Sequence, residues 1–198
     1  MTQAPAKRLT ADERRQAVLD TACRVFSRSS YRGATTAEIA REAGISEPIL
    51  YRHFGSKRDL FLACLAEAWR TFREDAQCTV ERDPAGCLGA VADAYMAKGK
   101  KIRVIDLWLQ ALTVAPEDKV IASALRGQIR EVRDFFAEII QAGQERGVVN
   151  AERDPQAEAW IFVAAGLLVT MDARLGGLLG DDLQRVRAAR RAWMLAQP

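Results

Sequence analysis

The sequence predicts an all-α protein, with three short helices followed by about six longer ones. Three observations predict it. No run of alternating apolar and polar residues is long enough for a strand. Val and Ile fall within a 3.6-residue period, among Ala, Leu, Glu, Arg and Gln. Helix-capping residues recur along the chain, each just before a periodic segment. In a chain of 198 residues, 49% apolar and 28% charged, there is enough apolar surface for a core. The length suits one domain or a small domain joined to a larger one.

The elements follow in order. The opening MTQAPAKRLTADERR is polar. It predicts a frayed tail over residues 1–9 and carries no export signal. Thr10 and Glu13 form a capping box, and Val18, Ala22, Val25 and Phe26 then line one face of the first helix. Thr35 and Glu38 form a second capping box, opening a short helix at Thr36–Glu42. Gly44 supplies a sharp turn, since glycine tolerates positive φ. Ser46, followed by Glu47 and Pro48, opens the third helix. Ser56 with Asp59 opens the fourth, running to about residue 80. Asp83-Pro84 opens a fifth, to about Ala97, and a sixth covers 102–113. Pro116 opens a long seventh that ends near Gly147. Asp154-Pro155 opens the eighth. Gly176-Gly177 breaks the chain, and Asp181 or Asp182 caps a ninth, about 182–195. The division falls near residue 55, giving units 1–55 and 56–198.

Several function classes are disfavoured. The longest apolar run, 159–171, has 13 residues, too short to span a bilayer. A soluble, cytoplasmic protein without membrane attachment is expected. Cys23, Cys64, Cys78 and Cys87 lack metal-site spacing, and His53 is the sole histidine. No metal and no cofactor are expected, and the thiols should be reduced and mostly buried. Catalysis by His53 with Ser56 lacks an orienting partner and an oxyanion-hole motif. Charge points elsewhere. Residues 1–60 hold 11 Lys and Arg against 7 Asp and Glu, whereas 61–198 hold 18 against 19. The whole basic excess lies at one end, as a polyanion-binding module would have it.

The segment 35-TTAEIAREAGISEPILYRHF-54 explains that excess. Two short helices joined by a tight glycine turn, locked by Ile39, Ala40, Ile45 and Leu50, make a helix-turn-helix unit. Its second helix enters the major groove with its first residues toward base edges. Ala22 and Phe26, Tyr31-Arg32-Gly33, Thr35-Thr36, Ile39-Ala40, Ala43-Gly44-Ile45-Ser46, Leu50-Tyr51, His53-Phe54 and Ser56-Lys57 together resemble the DNA-binding domain of the TetR family of transcriptional regulators. The resemblance runs from about Arg14 to Leu62, about a quarter of the chain.

The resemblance implies phosphate contacts by Tyr51 and His53, late on the recognition helix. It adds Lys57 at the start of the fourth helix and Thr36 at the start of the second, each able to donate to a phosphate oxygen. Base reading falls to Ser46, Glu47, Pro48, Ile49 and Arg52. Glu47 suits a cytosine amino group, Ile49 a thymine methyl, and Arg52 a guanine or a phosphate. Ala37 departs from the longer polar residue that similar proteins often carry, so helix two is not expected to touch bases. By the same resemblance, helices four to seven enclose a small-molecule effector. Trp69, Phe72, Met96, Trp108, Leu112 and Phe135 are the candidate liners, and their chemistry favours a mainly apolar organic ligand.

Helices eight and nine are expected to form a homodimer interface through Ala159, Val163, Gly166, Leu167 and Thr170. Two recognition helices reading a palindrome require two-fold symmetry, roughly 35 Å apart. The sequence is thus read as a homodimeric repressor that binds a palindromic DNA operator and is released by the effector. A DNA-binding regulator without such a ligand, or controlled by a protein partner, is the alternative. The stretch 98-KGKKIR-103 is either a solvated basic turn or a further contact.

Overall fold

The computed structural model describes residues 10–82 and 104–195, the side chains of 78–82 excepted. Among the described residues there are eight helices and no strand. They are α1 (Ala11–Arg28), α2 (Thr36–Glu42), α3 (Glu47–His53), α4 (Lys57–Arg82), α5 (Val104–Val114), α6 (Lys119–Glu145), α7 (Pro155–Arg174) and α8 (Asp182–Met194). The helix expected at 83–97, Met96, Cys87 and the basic stretch 98–103 lie outside the described residues, as does the tail 1–9.

The caps explain the starts. Thr10 Oγ1 accepts from Glu13 N at 3.2 Å, and Glu13 returns the bond to Thr10 N at 2.7 Å. Thr35 Oγ1 accepts from Glu38 N at 3.1 Å, and Ser56 Oγ from Asp59 N at 3.1 Å. One start differs from expectation. Pro116 does not open the long helix; it lies in the turn after α5, and Asp118 caps α6 by accepting from Val120 and Ile121 N–H. An Asp side chain can satisfy two otherwise unpaired amides, which a proline cannot.

One continuous apolar core joins the three N-terminal helices to the rest. α1 packs along α4 and also meets α5. Phe26 on α1 stands edge-on to Phe61 on α4, with centroids 5.0 Å apart, and Tyr31 lies 4.9 Å from the same ring. Edge-to-face pairs of this kind contribute about 0.5–1.5 kcal/mol beyond their burial. Cys23 and Cys64 are free and buried at this α1–α4 contact, and burial pushes the Cys64 thiol pKa up.

Farther along, α4, α6 and α7 meet through Trp69, Phe72, Phe135, Phe136 and Phe162, with ring centroids 5.1–6.3 Å apart. The most extensive helix pairing is α6 with α7. Their junction is tight: a Cβ on Gly143 would come within 2.6 Å of Val149 Cγ2. The end of α8 folds back here, with Asn150 N donating to Met194 O at 3.0 Å.

Candidate nucleic-acid interface

The candidate DNA-binding face is built by α2, α3 and the start of α4. Gly44 takes φ +69°, the left-handed conformation that the tight turn needs. Ile45 N then donates to Ala40 O, closing α2 against α3. Leu50 and Ile39 are fully buried between them. That burial turns the opposite side of α3 outward: Ser46, Pro48, Tyr51 and Arg52 are exposed, while Glu47, Ile49 and His53 are half-buried. Ser46 makes no side-chain capping bond, so its hydroxyl stays available at the helix start.

Lys57 begins α4 beside this surface. Its ammonium lies 4.8 Å over the Tyr31 ring and donates to Arg32 O at 3.3 Å. Partial burial lowers its pKa somewhat. An ammonium has three donors, and two stay free. Phe54, which ends α3, is buried under the Arg15 guanidinium, 4.8 Å away.

Two expected site residues sit differently. Thr36 is buried, and its hydroxyl donates to Glu47 Oε1 at 2.5 Å rather than facing outward. Tyr51 OH lies 3.1 Å from the same Thr36 oxygen. Glu47 is thus folded back onto α2 instead of projecting freely toward bases. This pairing joins residues 11 positions apart, and helical spacing alone gives no sign of it.

Sequence reading also missed a second feature. The turn between α5 and α6 grips the N-terminal helices and the start of α4 through an Arg32–Glu117 ion pair and an Arg58–Asp118 pair at 3.6 Å. The Ile121 and Val120 amides, with Arg58 nearby, hold the Asp118 carboxyl below its ordinary pKa.

The candidate effector liners are only partly brought together. A cavity of about 340 Å³ opens between α4 and α6, lined by Leu62, Leu65, Ala66, Trp69, Ala124, Gly127, Gln128 and Glu131. Among the described residues, Trp69 is the one expected liner it contains. Phe72 and Phe135 belong to the aromatic cluster described above. Trp108 is fully buried behind the cavity, its indole N–H donating to Gln128 Oε1 at 2.6 Å, while Gln128 Nε2 donates to Leu65 O at 2.6 Å. Leu112 is 48% exposed and does not line this cavity, because that face of α5 turns outward.

Three of the five expected dimer residues turn inward. Ala159, Val163 and Thr170 are buried inside the single chain. Gly166 faces α5: a Cβ there would lie 2.6 Å from Ile105 Cδ1. Leu167 is half-buried and packs against the core. Ala159, Val163 and Thr170 thus face inward, while Gly166 and Leu167 stay half-buried. The outward stripe is Ile161, Ala164, Met171 and Leu175, with Leu168 half-buried between them, continued on α8 by Val186, Ala189 and Trp193. Glu158 anchors α8 to α7 through an ion pair with Arg190 and a bond from Trp193 Nε1. By length and composition alone, the 20-residue α7 is also long and apolar enough to cross a bilayer. Counting only its uninterrupted apolar run concealed that.

Comparison with known proteins decides the family. A family model described as "Bacterial regulatory proteins, tetR family" matches residues 18–64. The transcriptional regulator AcrR of Shigella flexneri is 41% identical over 181 residues, covering 90% of this chain and 73% of AcrR. The chain belongs to the TetR family of transcriptional regulators. Four other transcriptional regulators align over only 58–70 residues, 26–34% of their own length. The transcriptional activator FasR of Mycolicibacterium smegmatis is 50% identical over 58 residues, 29% of this chain but only 26% of FasR. The fold agrees over nearly the whole length. A TetR-family regulator from Cytophaga hutchinsonii superposes with a TM-score of 0.80 at 16% identity, covering 97% of this chain and 100% of that one. The matched segment 18–64 runs from the buried face of α1 to Cys64 on α4, so it includes every residue of the DNA-binding face described here.

Proposed function

We propose that this TetR-family regulator acts in the cytoplasm as a homodimeric repressor, binding a palindromic operator and leaving it when a small, mainly apolar organic molecule binds. The carrying observation is the exposed side of α3, with Ser46, Pro48, Tyr51 and Arg52 outward and Lys57 beside it. Ser46, Pro48, Ile49 and Arg52 would read base edges. Tyr51, His53 and Lys57 would contact phosphates.

The apolar stripe on α7 and α8 supports the homodimer, since a symmetric partner covers such a surface with its own copy. The α4–α6 cavity supports the effector. Its volume of about 340 Å³ lies at the small end of the ligand-site range. Four of its liners, Leu62, Leu65, Ala66 and Trp69, sit on the helix that begins with Lys57. A ligand wedged against α4 would thus act on the DNA-binding end through one rigid element. The Arg32–Glu117 and Arg58–Asp118 pairs give a second link. A differential affinity of roughly 1–3 kcal/mol between the two states would lower DNA affinity about 5–150-fold.

The test is a titration of apolar organic compounds against a protein–operator complex followed by fluorescence anisotropy. Release by a compound that also quenches Trp69 supports the scheme. A complex that survives saturation by every compound shown to bind the cavity refutes release.

A further inference from the structure

We propose that Glu47 is a brake on phosphate binding, holding the hydroxyls of Thr36 and Tyr51 inward, and not a reader of bases. The inference rests on the operator-binding reading above and deepens it.

The geometry leaves one polarity for this chain of groups. An ionised carboxylate only accepts hydrogen bonds, and a hydroxyl has one proton to give. With Thr36 Oγ1 2.5 Å from Glu47 Oε1, the threonine proton goes to the carboxylate. Thr36 Oγ1 then has only lone pairs left for Tyr51 OH at 3.1 Å. The tyrosine must therefore be the donor in that bond. Its single proton points into the protein, while the residue itself is 44% exposed on the recognition surface.

The consequence concerns DNA. A phosphate oxygen is also acceptor-only, so it needs the proton that Tyr51 has committed to Thr36. Tyr51 can serve a phosphate only by leaving Thr36. Thr36 cannot substitute, because it is buried and its own proton is held by Glu47. Glu47 adds a negative charge at the end of α3 that meets DNA. The carboxylate itself is favoured there by the helix N-terminus. Both effects lower affinity for any backbone, independent of sequence.

The test measures binding of the full-length protein to a duplex obtained by selection and to an unrelated duplex, at fixed salt. Glu47→Ala, Thr36→Val and Tyr51→Phe are made singly, and Tyr51→Phe is combined with each of the others. Circular dichroism melts confirm that each variant is folded. Glu47→Ala is expected to tighten both duplexes by about tenfold, the scale of one hydrogen bond to a charged group. Removal of charge alone would also tighten binding, so the deciding readout is coupling. Tyr51→Phe should cost at least about five times more in the Glu47→Ala protein, and in the Thr36→Val protein, than in the native one. Equal costs in all three backgrounds overturn the proposal. Loss of discrimination at one base pair in Glu47→Ala also overturns it and makes Glu47 a base reader. Should Glu47→Ala fail to fold, the Thr36→Val comparison decides alone. Failure of the native protein to bind any duplex is a separate outcome, which refutes the operator-binding reading itself and the proposal with it.

Discussion

Lys57 Nζ sits 4.8 Å over the Tyr31 ring and donates to Arg32 O at 3.3 Å. This seat fixes a cation where α4 leaves the DNA-binding end, with two donors unspent. Lys57→Ala should therefore weaken binding to every duplex and reduce the slope of log affinity against log salt by about one. Loss of the ring contact should also cost stability, about 0.5–1 kcal/mol. His53→Ala should likewise weaken all sequences alike, whereas Arg52→Ala should change base preference. Gel shifts on a randomised pool distinguish the two behaviours. Unchanged affinity in both Lys57→Ala and His53→Ala would contradict the phosphate assignment.

The two sides of α7 make opposite predictions. Met171→Glu and Leu175→Glu lie on the outward stripe and should give folded monomers by light scattering. Val163→Ala lies inside, and should leave the dimer intact but lower stability by roughly 0.5–3 kcal/mol. Monomers from Val163→Ala with dimers from Met171→Glu would reverse the assignment.

Gln128 satisfies the buried Trp108 indole and reaches Leu65 O on α4. Gln128→Leu leaves the indole N–H unpaired, and should destabilise by about 1–3 kcal/mol in urea unfolding. Trp108→Phe combined with Gln128→Leu removes both partners and should recover part of that loss. A fully additive double variant would show that the bond contributes nothing.

Asp118 caps α6 and pairs with Arg58 across to the DNA-binding end. Its folded pKa is lowered, chiefly by the Ile121 amide. A depressed carboxyl contributes stability that is present above the ordinary Asp range and lost as pH falls through the lowered value. Thermal midpoints of native protein and Asp118→Ala should thus differ at neutral pH and converge in acid below that range. A constant difference across the whole series would exclude this source.

The helix starts were legible because caps are local chemistry. Thr10 with Glu13, Thr35 with Glu38 and Asp154 with Pro155 each act within four residues, so the sequence carries them directly. The α6 start was displaced to Asp118, also a local signal, because Pro116 is a weaker cap than an Asp carboxylate. The facing of α7 was not legible in the same way. That helix is apolar almost all round, so its composition does not say which stripe meets α5 and α6. The 161, 164, 168, 171, 175 spacing was the available signal for an outer seam. The Glu47 contact was not legible for a different reason. Its partner Thr36 is brought to it by the Gly44 turn, and only the packed α2–α3 pair shows that the side chain is already occupied.

The central claim is that two copies of this chain read a palindrome through α3. Selection of bound duplexes from a random library, with the mass of the resulting complex measured, tests it most directly. The account predicts an enriched inverted repeat with half-sites about one helical turn apart, roughly 35 Å, bound by an even number of chains. Enrichment of a single unrepeated site bound by one chain, or no enrichment at all, would contradict it.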